Sequence, residues 1–173
     1  YLAKIAAEIG EAHDAINWNQ RTAIMMGRID EILWDEEAGL YLARKDGQPI
    51  RLKTPFSLFP LLVENSDKTK AEQLAKHIFN KETFWSKFPV PSVAVDETTF
   101  DPEQMWRGPT WVNVNYLLVE GLERSGFVEE ARKLRRVTLK MLMRLPDFFE
   151  YYNPLTGQPG AKAAPIFGWS AAL

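Results

Sequence analysis

Helical stretches of two kinds alternate along this chain, and that alternation limits its fold more than any other feature of the sequence. Residues 12–34, 67–79 and 127–145 carry apolar side chains on one face and charges on the other, whereas 56–63 and 109–125 are apolar nearly all round. A helix of the first kind is wetted on one side, and a helix of the second kind is covered on most sides. An antiparallel bundle would show amphipathic stripes throughout. The alternation therefore predicts an all-α, two-layer helical toroid with buried inner helices and half-exposed outer ones. A closed toroid of six hairpins needs roughly 12 helices of ~12 residues plus loops, on the order of twice this chain. The 173 residues are thus expected to form a single domain holding only part of the ring. The ends agree with that expectation. Helical periodicity is already running at Tyr1-Leu2-Ala3-Lys4-Ile5, and Phe167-Gly168-Trp169-Ser170-Ala171-Ala172-Leu173 stops as a helix begins.

Local signals place the joints. Gly10-Glu11 breaks a first short helix from a long one ending near Trp34, on which Trp18, Met25, Ile29, Ile32 and Leu33 recur at helical spacing. Leu40–Ala43 reads as a short strand, and Lys45-Asp46-Gly47-Gln48 has hairpin-turn chemistry. Thr54-Pro55 marks a helix start, with threonine at the cap and proline at the first turn. The following stretch, Phe56 to Val63, is expected to be buried despite Pro60. Asp67 or Ser66 is expected to cap the next helix, with Ala71, Leu74, Ala75 and Ile78 on its inner face. Residues 80–108 form a long irregular segment carrying Phe84, Trp85, Phe88, Phe100 and Trp106. Loops of that length are uncommon in compact domains and often functional. After Gly126, the residues Ala131, Leu134, Thr138, Met141 and Leu145 share one helical face.

Composition removes several classes of function. Net charge is −2, with acidic and basic residues nearly balanced, so no electrostatic footprint for nucleic acid or an anionic membrane is expected. There is no cysteine, which excludes disulfides and thiolate chemistry and leaves the compartment open, the cytoplasm being favoured. His13 and His77 are isolated from each other; neither a metal centre nor a cofactor is expected. No apolar run reaches the ~18 residues of a transmembrane helix.

Hydrogen-bonding groups gather at one place, Met105-Trp106-Arg107-Gly108-Pro109-Thr110-Trp111-Val112-Asn113-Val114-Asn115. Here a loop becomes an apolar helix, predicted to start at Pro109. Arg107 suits a carboxylate or sugar hydroxyls, and Trp106 and Trp111 suit the apolar face of a sugar. The plainer reading has both tryptophans filling the core and Arg107 paired with Asp101 or Glu103. Asn113 and Asn115 need partners inside such a helix, and neighbouring loop backbone is the commoner one. Glu150 stands out among the acids because Phe148, Phe149, Tyr151 and Tyr152 surround it; a carboxylate walled by aromatics suits acid/base work. Its plainer reading is an edge residue facing solvent. Asp147 follows Pro146 at a helix exit, where a turn residue is ordinary. Asp96-Glu97 reads as a solvated pair, and Phe167 and Trp169 as core or as pocket wall. Two acids in an aromatic-rich cleft are what glycoside hydrolysis requires, and aromatics make up 12% of this chain.

Trp106-Arg107-Gly108-Pro109-Thr110-Trp111-Val112-Asn113-Val114-Asn115 closely resembles the WRGPxWxNxN signature of glycoside hydrolase family 63, relatives of the trehalases. Pro91-Ser92-Val93-Ala94-Val95-Asp96 resembles the loop that precedes the signature. Phe149-Glu150-Tyr151-Tyr152-Asn153-Pro154-Leu155-Thr156-Gly157 resembles the family's E-Y-Y segment, and Phe167 to Leu173 its closing helix. The resemblance implies an (α/α)6 barrel, of which this chain would be the C-terminal part, and an inverting α-glycosidase acting on a small sugar conjugate or oligosaccharide. It implies that Glu150 is the general base and that Trp106, Arg107, Gly108, Trp111, Tyr151 and Trp169 line the sugar site. Met105 departs from the tyrosine common at its position. The family's general acid lies in a W-D-x-G-x-D-type segment with no counterpart here. The isolated chain is therefore expected to be inactive and either to self-associate or to need a complementary N-terminal chain. A debranching-type amylo-α-1,6-glucosidase and a non-catalytic carbohydrate-binding protein of the same fold are the alternatives.

Overall fold

The computed structural model describes residues 1–63 and 67–173. Ser66, one of the two residues expected to cap a helix, lies outside them. Asp67 does cap: its carboxylate accepts from the backbone N–H groups of Thr69 and Lys70 at the start of α3 (Lys68–Ile78).

The chain opens with α1 (Leu2–Glu8) packed on α2 (Ala12–Leu33). Two small antiparallel ladders follow, β1 (Trp34–Asp35) with β2 (Leu40–Tyr41) and β3 (Arg44–Lys45) with β4 (Gln48–Pro49). Asp46 and Gly47 turn the second hairpin, both at positive φ (51° and 77°), as a tight two-residue hairpin turn demands. A 3-10 helix, Pro55–Leu62, comes next, then α3, α4 (Val112–Arg124), α5 (Val128–Leu142) and the short α6 (Gly168–Ala171).

Packing sorts these helices into two layers. The 3-10 helix and α4 lie side by side, with α3 laid outside the former and α5 outside the latter, while α6 continues along α4. Leu58, Leu61, Leu74, Ile78, Leu118, Leu122 and Leu134 are fully buried between the layers. The polar edge of the inner layer is tied as well: Ser125 Oγ donates to the Leu61 carbonyl at 3.0 Å. The partial two-layer toroid therefore follows from the alternation of apolar and half-polar helices.

Five expectations change. The stretch at 55–62 is a 3-10 helix rather than an α-helix; Pro60 lies inside it and supplies no N–H to an α-ladder. Nor is it buried throughout, since Phe56 is 51% exposed. Helix α4 starts at Val112, after the predicted Pro109, because Thr110 is spent on extended pairing with Pro91 and Tyr152. It is not covered all round either, as Tyr116 is exposed. Helix α2 buries no residue at all, and its Ile16, Ile24, Met25 and Ile32 stand in the open. No helix among the described residues is long and apolar enough to cross a membrane.

Candidate active site

The loops that lead into the 3-10 helix, α4 and α6 gather the residues singled out from the sequence. Residues 101–108 form a closed loop. The Asp101 N–H donates to the Arg107 carbonyl at 2.8 Å, and the Arg107 N–H to the Gln104 carbonyl at 2.7 Å. Gly108 is required by close approach: a Cβ there would fall 2.3 Å from the Asp101 carbonyl oxygen. Its N–H is held by Ser92 Oγ at 3.0 Å, which joins the Pro91-Ser92 segment to the signature loop. Gly108 thus acts by letting the loop close, while Trp106 and Arg107 before it present side chains outward.

Trp106 belongs to an aromatic ladder. The Trp106 and Trp111 rings stack with centroids 3.9 Å apart and planes 4° from parallel. Phe56 extends the ladder on the Trp106 side at 5.9 Å, and Tyr151 on the Trp111 side at 5.4 Å. Trp111 and Tyr151 are buried, whereas Trp106 is 38% exposed. The ladder runs from solvent into the core, with Phe56 and Trp106 at its exposed end and Trp111 and Tyr151 at its buried end. Trp111 is further fixed by its indole N–H, which donates to the Met105 carbonyl at 3.1 Å. Trp111 is in the core, as the plainer reading has it, whereas Trp106 stands at the surface and does not fill the core.

Arg107 forms neither of the ion pairs considered for it. Its guanidinium bonds Gln104 Oε1 at 2.9 Å and has no carboxylate partner among the described residues. Of the two asparagines, Asn115 is structural: it accepts from the Val90 N–H at 3.0 Å and donates to the Pro89 carbonyl at 2.7 Å and to Thr138 Oγ1 at 2.9 Å. Asn113 is half-buried on the first turn of α4, with no hydrogen-bond partner among the described residues. The Asp96-Glu97 pair is not simply solvated, because Lys53 bridges the two carboxylates.

Glu150 is half-buried, and reciprocal contacts with Ala164 hold it. Its N–H donates to the Ala164 carbonyl at 2.9 Å, and its Oε2 receives the Ala164 N–H at 3.5 Å. Tyr152 anchors the segment to the signature by two backbone bonds with Thr110, 2.7 and 2.9 Å long. Tyr151 lies flat against Gly160, where a Cβ would come within 2.2 Å of its ring. Burial pushes the Tyr151 phenol above its ordinary pKa, and the carboxylates of Glu150 and Glu103 push it the same way. Ser170 Oγ donates to the Phe149 carbonyl at 2.6 Å, seating α6 beside the Glu150 segment. Trp169 is 58% exposed, and its ring touches Phe167 edge-on at 5.8 Å; it joins no other ring of the ladder among the described residues.

Two residues of this region escape a reading of the sequence. Phe56 looks like core because everything after it is apolar; Thr54-Pro55 is the signal that it sits at an exposed helix mouth. Glu103 looks like one more loop acid, yet its carboxylate reaches the backbone of Ala161 and the side chain of Asn153.

The two-layer arrangement of helices is that of the class of six-hairpin, (α/α)6-barrel proteins, and this chain holds part of it. Within that class, the chain belongs to the mannosylglycerate hydrolase MGH1-like glycoside hydrolase domain family, whose model matches residues 1–170. It is 37% identical over 148 residues to the mannosylglycerate hydrolase of Thermus thermophilus, covering 83% of this chain and 34% of that protein. With the mannosylglycerate hydrolase of Rubrobacter radiotolerans it shares 31% identity over 177 residues, 99% of this chain and 39% of the relative. The crystal structure of the Thermus thermophilus GH63 mannosylglycerate hydrolase with glucose superposes with a TM-score of 0.84 at 33% identity, covering 99% of this chain and 42% of that one. Neutral trehalase from Saccharomyces cerevisiae shares the fold, with a TM-score of 0.73 at 17% identity over 92% of this chain and 30% of its own. The chain thus spans between 34% and 39% of the length of the two curated relatives.

Proposed function

We propose that this chain supplies the base side of an inverting α-glycosidase site that hydrolyses a small glycosyl conjugate of the mannosylglycerate or glucosylglycerate type. The supporting observation is that Glu150 is joined directly to Tyr151, the buried end of the Phe56–Trp106–Trp111–Tyr151 ladder. A sugar resting against the exposed Phe56–Trp106 end of the ladder is proposed to reach toward the segment that carries the base. Stacking on the ring supplies the apolar contact, and the carboxylate-free guanidinium of Arg107 supplies donors for hydroxyls or a carboxylate.

In this reading Glu150 takes a proton from water as that water attacks the anomeric carbon. The bond to the leaving oxygen breaks as a second carboxyl group protonates it. Inversion leaves roughly 6.5–9.5 Å between the two carboxyls for the water. We assign the donor to protein outside these 173 residues, since the relatives are more than twice as long. Trp106, Arg107, Trp111, Tyr151 and Trp169 are proposed to shape the sugar site, with Gly108 holding its loop closed. Glu150 is its base.

The complete gene product carrying these residues should hydrolyse mannosylglycerate or glucosylglycerate. Proton NMR of the first turnovers should show the β-anomer of the released sugar ahead of mutarotation. Release of the α-anomer would contradict the inverting assignment. Sugar binding without turnover would favour a carbohydrate-binding protein of the same fold.

A further inference from the structure

We propose that Glu103 is the positioning residue that sets Glu150 against the tryptophan ledge, an inference that rests on the reading of Glu150 as the base. Glu103 stands on the closed 101–108 loop, and its backbone N–H donates to Asp101 Oδ1 at 3.0 Å. It is exposed and takes no part in the core. Its two carboxylate oxygens are nonetheless both engaged, and on distant chain. Oε1 receives the Asn153 side-chain N–H, 50 residues on, and Oε2 receives the Ala161 N–H at 3.1 Å, 58 residues on. Among the described residues, these are the side-chain hydrogen bonds that join the loop carrying Trp106 and Arg107 to the segment carrying Glu150.

The geometry of Asn153 shows that the connection is specific. Its Oδ1 accepts from the backbone N–H groups of Leu155 at 2.8 Å and Thr156 at 3.1 Å, so the amide nitrogen has to point away from them, and it points at Glu103. Asn153 lies on the outgoing arm of the loop and Ala161 on the returning arm. The returning arm goes on to Ala164, whose N–H meets Glu150 Oε2 at 3.5 Å, the outer limit of a hydrogen bond. The carboxylate of Glu150 is therefore held weakly by an arm that is itself tied to Glu103 through the Ala161 N–H. Moving that arm moves the base, and a misplacement of ~1 Å can cost about 100-fold in rate.

A carboxylate is suited to this place because both incoming groups are donors. Glutamate offers an acceptor oxygen to each, whereas glutamine keeps one oxygen and turns an N–H₂ group toward the other donor. In the complete gene product assayed on mannosylglycerate, Glu103→Ala should lower kcat per folded molecule by about 10–100-fold with KM within about threefold. Glu103→Gln should fall between native and alanine. The folded fraction is fixed by near-UV circular dichroism; a residue with a structural role alone would reduce that fraction and leave kcat per folded molecule unchanged.

Glu150→Gln is measured alongside. If it retains native turnover, the base reading fails; if it is inactive while Glu103→Ala turns over at the native rate, the positioning inference alone fails. Hydrogen–deuterium exchange gives a readout that needs no turnover. Glu103→Ala should speed exchange across 150–164 and leave 112–124 unchanged, and unaltered exchange across 150–164 would overturn the inference.

Discussion

His77 shows how one buried atom sets a response to pH. Its Nε2 lies 3.0 Å from the Ala38 carbonyl, which can only accept, so Nε2 carries the proton. Nδ1 is then a bare lone pair, buried without a partner among the described residues. Protonating Nδ1 would place an N–H where nothing receives it. Burial accordingly lowers the His77 pKa; the Ala38 carbonyl opposes the shift, Lys53 adds to it and Asp96 opposes it. In the window below the ordinary value of 6.5 the unfolded chain binds a proton that the folded chain refuses. Folding stability contributed here is complete above that value and is lost as the pH falls through the folded-state pKa. In urea titrations from pH 7 to pH 5, His77→Gln should lose less stability than the native chain. Parallel losses in the two proteins would contradict this account.

At the scale of elements, the depth to which α4 is held depends on one polar side chain. Asn115 ties α4 to the Pro89–Val90 backbone and, through Thr138, to α5, and it is buried. Asn115→Ala leaves a buried N–H and a buried carbonyl without partners, at ~1–3 kcal/mol for each, so a loss of about 3 kcal/mol is expected. Asn113→Ala, two positions earlier and half-buried, should change stability by less than about 0.5 kcal/mol. Chemical denaturation of the two variants checks the contrast; equal effects would mean that the Asn115 network is not what seats the helix.

The same element marks how far the sequence can be read. Periodicity placed α3 and α5, since Ala71, Leu74, Ala75 and Ile78, and then Ala131, Leu134, Thr138 and Met141, are buried as their spacing requires. Leu145, the next residue in that pattern, falls beyond the end of α5 at Leu142. The start of α4 was not legible, because Pro109 and Thr110 read locally as a first helical turn and are held extended by strands brought in from Pro91 and Tyr152. Asp46-Gly47 was legible because its turn is decided by the two residues themselves. The site divides along the same line. Trp106 and Glu150 could be singled out from local context, with their roles left to the family resemblance, but the contacts of Glu103 are with Asn153 and Ala161, 50 and 58 residues away.

For the whole molecule, the two-layer arrangement explains why the chemistry sits where it does. The 3-10 helix, α4 and α6 are entered from loops that assemble at one place, so Phe56, Trp106, Trp111 and Tyr151 meet although they come from three separate segments. The outer helices α3 and α5 bury one face each, and none of the proposed site residues lies on them. The proposed role of the Glu150 carboxylate, one residue before the ladder's buried end at Tyr151, is to activate water. Its most direct test is kcat for Glu150→Gln in the complete gene product, with affinity for the free sugar measured on the same preparation. Loss of kcat by a factor on the order of 10²–10⁴ with affinity unchanged is the predicted result; a variant that turns over at the native rate would contradict it.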